Sequence, residues 1–279
     1  MRDITIGQFY QADSIIHKLD PRVKLFWTLM YIIGLFVAGN VVGYTISTVF
    51  LVTVIVLSKI PFKRVLGGLK SIAFVLIFSG IFTLLFTGGE NVIGEWWIFT
   101  ISVEGIIKAL EMVFRLLLLL VGSSIMTLTT APTDIADGLE KAFSPLRYIK
   151  VPVHEIAMMI SIAFRFIPIL VEETDKIMKA QKARGADFET GGIIKKAKGM
   201  IPLLVPLLIS AIKRAMDLAN AMEARCYRGG EGRTKMKPLQ YKKADGVSYI
   251  VIFVVFAALI ASNIIMNEVL GWELIMLFR

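Results

Sequence analysis

"LFWTLMYIIGLFVAGNVVGYTISTVFLVTVIVLS", residues 25–58, lies between Lys24 and Lys59 without one charged side chain. An α-helix rises about 1.5 Å per residue, so about 20 apolar residues cross the ~30 Å of bilayer hydrocarbon. The run is too long for a single crossing. Gly39-Asn40 through Gly43 supplies turn residues near its middle, which predicts two spans over about 23–39 and 43–58. Just upstream, Asp20-Pro21 reads as a helix start, with Asp as cap and Pro at the first helical position, where its missing N–H costs nothing.

Uncharged runs recur at 71–89, 116–133 and 246–267, predicting spans near 69–87, 104–130 and 246–266. With 56% hydrophobic residues and a mean hydropathy of +0.71, the chain is too apolar for an ordinary soluble domain. The expected fold class is all-α, a polytopic helical membrane protein with about five transmembrane helices. "TGGENVIGEWW" (87–97) reads as an outer loop with interfacial tryptophans. Lys59, Lys63, Arg64 and Lys70 anchor a connection on the opposite side.

The net charge of +9 is distributed unevenly. Residues 131–245 hold 20 of the 31 Lys and Arg, whereas 71–107 hold none, only Glu90, Glu95 and Glu104. Basic loops stay on the cytoplasmic side, so 1–24, 59–70 and 131–245 are expected there and 88–104 outside, in a bacterial cell membrane. That pattern accounts for the basic balance without nucleic acid. It also divides the chain into an N-terminal membrane domain (1–130), a cytoplasmic region (131–245), and a C-terminal span with its tail (246–279). "LGWELIMLFR" (270–279) would cover the outer interface. The first 24 residues are polar, which predicts no cleaved signal peptide.

Chemistry-bearing residues are sparse. Cys226 is the single cysteine, and the histidines are His17 and His154. His154-Glu155 begins like a zinc-protease helix, but position 158 is Met, so the second ligand is missing. "GGLKS" (67–71) lacks the spacing of a P-loop. No metal or cofactor is therefore expected. Lys108, Glu111 and Arg115 fall inside the fourth predicted span, where ionisable groups are functional candidates. Helical spacing also lets Glu111 pair with Lys108 or Arg115.

The region 131–245 carries the most information. "TDIADGLEKAF" (133–143) reads as a short helix with Asp134 and Asp137 near its positive end. Two longer helices follow, the second striped by Leu204, Leu207, Leu208, Ala211, Ala215, Leu218, Ala219 and Met222. Lys195, Lys196 and Lys198 suit lipid phosphates at the bilayer surface. "KAQKARGADF" (179–188) and "NAMEARCYRG" (220–229) place Ala180, Ala183 and Arg184 in the spacing of Ala221, Ala224 and Arg225, 41 positions later. Small neighbours admit a partner backbone, and the guanidinium fork matches a carboxylate as Lys cannot. Two such tips suggest two similar acidic grooves on partners.

Here the chain resembles a known family. "SIIHKLDPRVKL" (14–25), "TTAPTDIADGLE" (129–140), "VPVHEIAMMISIAFRFIPILVEE" (151–173), "AQKARGADF" (180–188) and "LANAMEARCYRGG" (218–230) look like the transmembrane T component, EcfT, of energy-coupling factor transporters. The resemblance implies a non-catalytic subunit that joins two ABC-type ATPases to a membrane S component carrying a vitamin or metal ion. It implies docking tips at Ala183, Arg184 and Gly185, and at Ala224, Arg225 and Cys226, the last standing where the family usually has Gly. The alternative is a permease with its own binding site, for which only 108–115 offers groups. The spans hold no set of residues for a membrane enzyme.

The two tips are expected to differ. Gly185 can end its helix in the left-handed conformation at no steric cost, whereas Cys226 would incur about 1–2 kcal/mol there. The second helix is therefore expected to continue through Tyr227 and Arg228 to Gly229 and Gly230, leaving Arg225 about one turn (~5 Å) inside its end.

Overall fold

Asp20 and Pro21 open helix α1 (Pro21–Val37) in the computed structural model, which describes residues 9–89, 91–96, 99–186, 192–229 and 239–269, with backbone alone at 66, 70, 71, 92–96, 99, 100, 147, 193–198 and 267–269. The Asp20 carboxylate accepts the Arg22 N–H at 2.9 Å and is gripped by the Arg22 guanidinium at 2.8 and 3.0 Å. Burial pushes this carboxyl up, but the Arg22 guanidinium and N–H outweigh it and hold it below the usual carboxylate range. Asn40 caps α2 (Val41–Ser58), its side chain accepting the Gly43 N–H at 2.7 Å. The turn expected at 39–43 is therefore present. Next comes α3 (Phe62–Phe86), bent by 58° between its arms 62–69 and 72–86. Ser102 then caps α4 (Val103–Thr129) by accepting the Gly105 N–H at 3.0 Å, and α5 (Pro132–Ala142) matches the short helix expected there. The last helix is α8 (Lys243–Val269).

These elements belong mainly to one of the two compact units of the chain, residues 7–138 with 239–279; the other comprises 1–6 with 139–238. In the first, α3 lies on α4, while α1 and α2 pack on both α4 and α8. Leu35, Leu51, Val54, Ile55, Leu118, Val121 and Ile125 form its core. Small residues let the helices close up. A Cβ at Gly34 would stand 2.9 Å from Leu259, and one at Gly122 would meet the Tyr31 ring, the close approach that membrane helices favour.

The segment read as an outer loop contains two short antiparallel strands, β1 (Val92–Trp96) and β2 (Phe99–Ser102). Val92, Ile93, Phe99, Thr100 and Ile101 are β-branched or aromatic, and such residues favour a paired, extended backbone over an open loop. The fold is otherwise all-α among the described residues.

Long-range side chains close the helix ends of this unit. Buried Lys24 donates from Nζ to the Thr129 carbonyl at 2.9 Å and the His17 carbonyl at 3.2 Å, placing a cation at the C-terminus of α4. Asp245, 1% exposed, accepts the backbone N–H of Asp20 at 2.9 Å and of Lys242 at 2.6 Å, joining the starts of α1 and α8. At the far end of α1, Asn263 donates to the Val37 carbonyl and accepts from Asn40 at 2.9 Å. Glu111 is bound by Arg115 at 2.7 Å and by the Tyr44 hydroxyl at 2.8 Å, and Arg115 Nε donates to that hydroxyl at 2.7 Å. Arg115 also reaches the Ala38 carbonyl at 3.4 Å. The intramembrane charges thus pair as helical spacing allows, with Tyr44 as a third member the spacing did not indicate.

The second unit contains a 3-10 turn (Ser144–Ile149), α6 (Val153–Ala183) and α7 (Ile193–Ala224). His154 Nδ1 lies 2.9 Å from Glu140 Oε1. Among the described residues, five helices are long and apolar enough to cross a membrane: α2, α4, α6, α7 from Gly199, and α8 to Met266, with bent α3 as a sixth if its arms count as one span. The number matches the expectation, but the membership differs. At 17 residues, α1 is about 25 Å long, while α6 and α7, read from the sequence as parts of a coupling region, pass by length and composition. Lys195, Lys196 and Lys198 lie outside the described side chains, and Glu90, Trp97 and 270–279 outside the described residues.

The Glu111–Arg115–Tyr44 cluster leads to a double-mutant expectation. Removing one member of a charged pair leaves its partner unsatisfied, at about 1–3 kcal/mol or more, whereas removing both does not. Glu111→Gln and Arg115→Met are each expected to lower the thermal unfolding midpoint in detergent more than the double variant does. A double variant whose loss equals the sum of the singles would contradict the pairing.

Candidate functional site

Both candidate tips are helix C-termini, and their backbone geometry follows from how a helix disposes of its last carbonyls. At the end of α6, Arg184 is the cap residue (φ −84°, ψ 4°) and Gly185 takes φ +87°. The Gly185 N–H returns to the Lys182 carbonyl at 3.0 Å, and the Ala186 N–H to the Gln181 carbonyl at 3.0 Å. This is a Schellman motif, which satisfies two carbonyls left over by the helix.

The end of α7 repeats it. Arg225 is the cap (φ −91°, ψ 12°) and Cys226 takes φ +56°. The Cys226 N–H returns to the Glu223 carbonyl at 2.8 Å, and the Tyr227 N–H to the Met222 carbonyl at 3.0 Å. Every donor and acceptor is displaced by the same 41 residues.

The expected asymmetry is therefore wrong. Cys226 is left-handed, α7 stops at Ala224, and Tyr227 and Arg228 lie beyond the helix. The expectation weighed the steric cost at Cys226, about 1–2 kcal/mol, and took the helix to run on to the next glycines. The reversal keeps the Cys226 and Tyr227 N–H groups paired, as a continuing helix would, so ending α7 here forfeits neither bond. Tyr227 and Met222 line a common cleft. The first tip is as expected, with α6 ending at Ala183. A Cβ at Gly185 would meet nothing within 4 Å, so glycine is favoured there by backbone conformation alone.

Ala183, Arg184, Gly185, Ala224, Arg225 and Cys226 are all exposed. Each arginine thus stands at the end of a helix of 31 or 32 residues, flanked by a small residue before it and a tight reversal after it. Such a tip offers five guanidinium donors in a planar fork. A cleft of about 520 Å³ adjoins the second tip, lined by Met158, Ile162, Leu218, Met222, Arg225 and Tyr227 among others.

One contact escaped the sequence reading. Arg214 Nη2 donates to Glu173 Oε2 at 3.0 Å, linking α7 to α6. The available signal was the 41-residue interval itself, since Glu172 and Glu173 recur as Lys213 and Arg214. As for metal chemistry, no group of three or more His, Cys, Asp or Glu able to hold an ion occurs among the described residues.

Comparison with known proteins agrees with this architecture. The family described as CbiQ, cobalt transport protein, matches residues 12–236. An energy-coupling factor transporter transmembrane protein EcfT of Clostridium kluyveri is 48% identical over 265 residues, 95% of this chain and 98% of the relative. The protein of the same name in Ruminiclostridium cellulolyticum is 50% identical over 245 residues, 88% and 91% of the two chains. That of Lactococcus lactis subsp. cremoris is 43% identical over 260 residues, 93% and 98%. The chain belongs to the CbiQ cobalt transport protein family and is a multi-pass transmembrane component of an energy-coupling factor transporter.

Proposed function

We propose that this subunit transmits ATP-driven motion, with Arg184 and Arg225 docked in acidic grooves of two cytoplasmic ABC-type ATPases. The observation that carries the reading is the repeated tip: two long helices end in the same Ala-Arg reversal with the same hydrogen bonds. In this reading residues 131–245 form a cytoplasmic coupling region. Closure of the ATPases displaces the tips, and the helices pass the displacement to a membrane S component that carries the vitamin or metal ion. The subunit itself performs no chemistry.

A permease reading draws support from a different feature. A cleft of about 580 Å³ between α2 and α4 is lined by Asn40, Tyr44, Thr45, Thr48 and Glu111 with Val41, Val49 and Phe114. Its acid is already engaged by Arg115 and Tyr44, which leaves little for a charged substrate. Substrate bound by the purified chain alone would favour this reading, and copurifying nucleotide-binding subunits the first.

Truncating an arginine that meets a carboxylate in a desolvated groove costs about 2–5 kcal/mol, or roughly 30-fold to several thousandfold in affinity. Arg184→Ala and Arg225→Ala are each expected to weaken ATPase copurification on that scale, with Arg→Lys recovering part of it. Normal assembly and uptake by the double Ala variant would refute the docking role. Cys226→Gly removes the left-handed penalty while keeping the reversal, so it should dock at least as tightly as wild type. Weaker docking would show that the thiol contacts the partner. Maleimide labelling of sealed cells, in a Cys226→Ser background, should mark Asn91→Cys and spare Gly192→Cys; labelling at 192 would overturn the cytoplasmic assignment.

A further inference from the structure

The Glu173–Arg214 contact has a property that an ordinary ion pair lacks. Arg214 is the 41-residue equivalent of Glu173, so each residue meets its own counterpart in the repeat. When two like elements are related by a two-fold rotation, residue i of one meets j of the other and j meets i. Only positions on the axis meet their own equivalents.

A cleft shared by α6 and α7 fits such an axis. Met158 and Ile162, from the first half of α6, share a cleft with Leu218 and Met222, from the last half of α7, and with its cap Arg225. The helices therefore cross in opposite directions, with Glu173 and Arg214 at the crossing. Leu203, the equivalent of Ile162, is the one buried residue among the described side chains of α7. That is the position the same rotation assigns to the return contact.

From the crossing, Arg184 lies eleven residues beyond Glu173, and Arg225 eleven beyond Arg214, about 16 Å along each helix. Neither arm contains proline or glycine; Pro168, Pro202 and Pro206 all lie before the crossing. The two arms are thus unbroken helical rods of equal length that run out from one charged contact.

We propose that the Glu173–Arg214 ion pair is a positioning contact that holds the two arginine tips at matched reach on either side of the α6–α7 crossing. The geometry stands on its own; its use in coupling rests on the docking role proposed above. The side chains are 27% and 38% exposed, and partly exposed pairs contribute little to stability. The role of the pair is therefore read in the placement of the arms, since the fold as a whole depends little on it. Glu172 and Lys213 repeat the inversion of sign beside it, so the charges at the crossing are complementary across the repeat.

The test uses the full chain in lipid nanodiscs, with Cys226→Ser and spin labels at the exposed equivalents Lys179→Cys and Asn220→Cys. Glu173→Arg and Arg214→Glu each bring like charges together at the crossing. Each is expected to shift and broaden the label-to-label distance distribution, and to lower transport by the assembled complex at least about fivefold, the low end of coupling between linked sites. Exchanging the pair, Glu173→Arg with Arg214→Glu, should restore the distances, which a general loss of folding would not allow. Unchanged distances in both single variants, or an exchanged pair that leaves them shifted, would overturn the proposal. Because the distances are measured without ATPases, they are independent of the docking role. If they follow the charges while Arg184→Ala with Arg225→Ala leaves assembly intact, docking fails and the crossing contact stands.

Discussion

Hydrocarbon offers no hydrogen bonds, so every helix end within or beside it needs a partner from the protein. Much of the larger unit can be understood from that requirement. The carbonyls ending α4 are met by Lys24, and those ending α1 by Asn263 and Arg115. The start of α8 is met by an aspartate that also holds the start of α1. Each of these side chains comes from a different helix, or serves two. Termination and tertiary packing are consequently the same interactions, and a bundle with little hydrophobic drive between its members acquires a defined register.

The smaller unit solves the same problem locally. Its two long helices end in turns whose own backbone closes the last carbonyls, so no neighbouring side chain is needed and the tips project with their arginines exposed. A helix end closed by a neighbour is fixed to that neighbour, whereas one closed by its own chain can be received by another protein. This difference separates helix ends fixed within the bundle from helix ends left exposed at the two Ala-Arg reversals.

What the sequence disclosed depended on range. Asp20 and Asn40 were legible as a cap and a turn because their partners lie two and three residues away. Glu111 and Arg115 were legible at one helical turn, but Tyr44, 67 residues before Glu111, was not. Lys24, Asp245 and Asn263 carry no local sign that they close distant helix ends. The strands at 92–102 were missed because a loop reading took precedence over a short run of β-branched and aromatic residues. Cys226 was misjudged because only its Cβ was considered, although the reversal there keeps both N–H groups paired. The arginine tips themselves were legible from spacing, yet the same interval applied eleven residues earlier would have indicated the crossing.

In an assembly of two identical chains, a residue on the symmetry axis faces its own copy, and opposite charges cannot meet there. A Glu would oppose a Glu, and an Arg an Arg. Carrying both arms in one polypeptide removes that prohibition, so positions 173 and 214 can differ while both stay within α-helices. Among the positions where the two helices differ, this one has opposite charges where identity would be repulsive. Carrying both helices in a single chain thus permits an attractive centre for the crossing, which a homodimer of one such helix could not have.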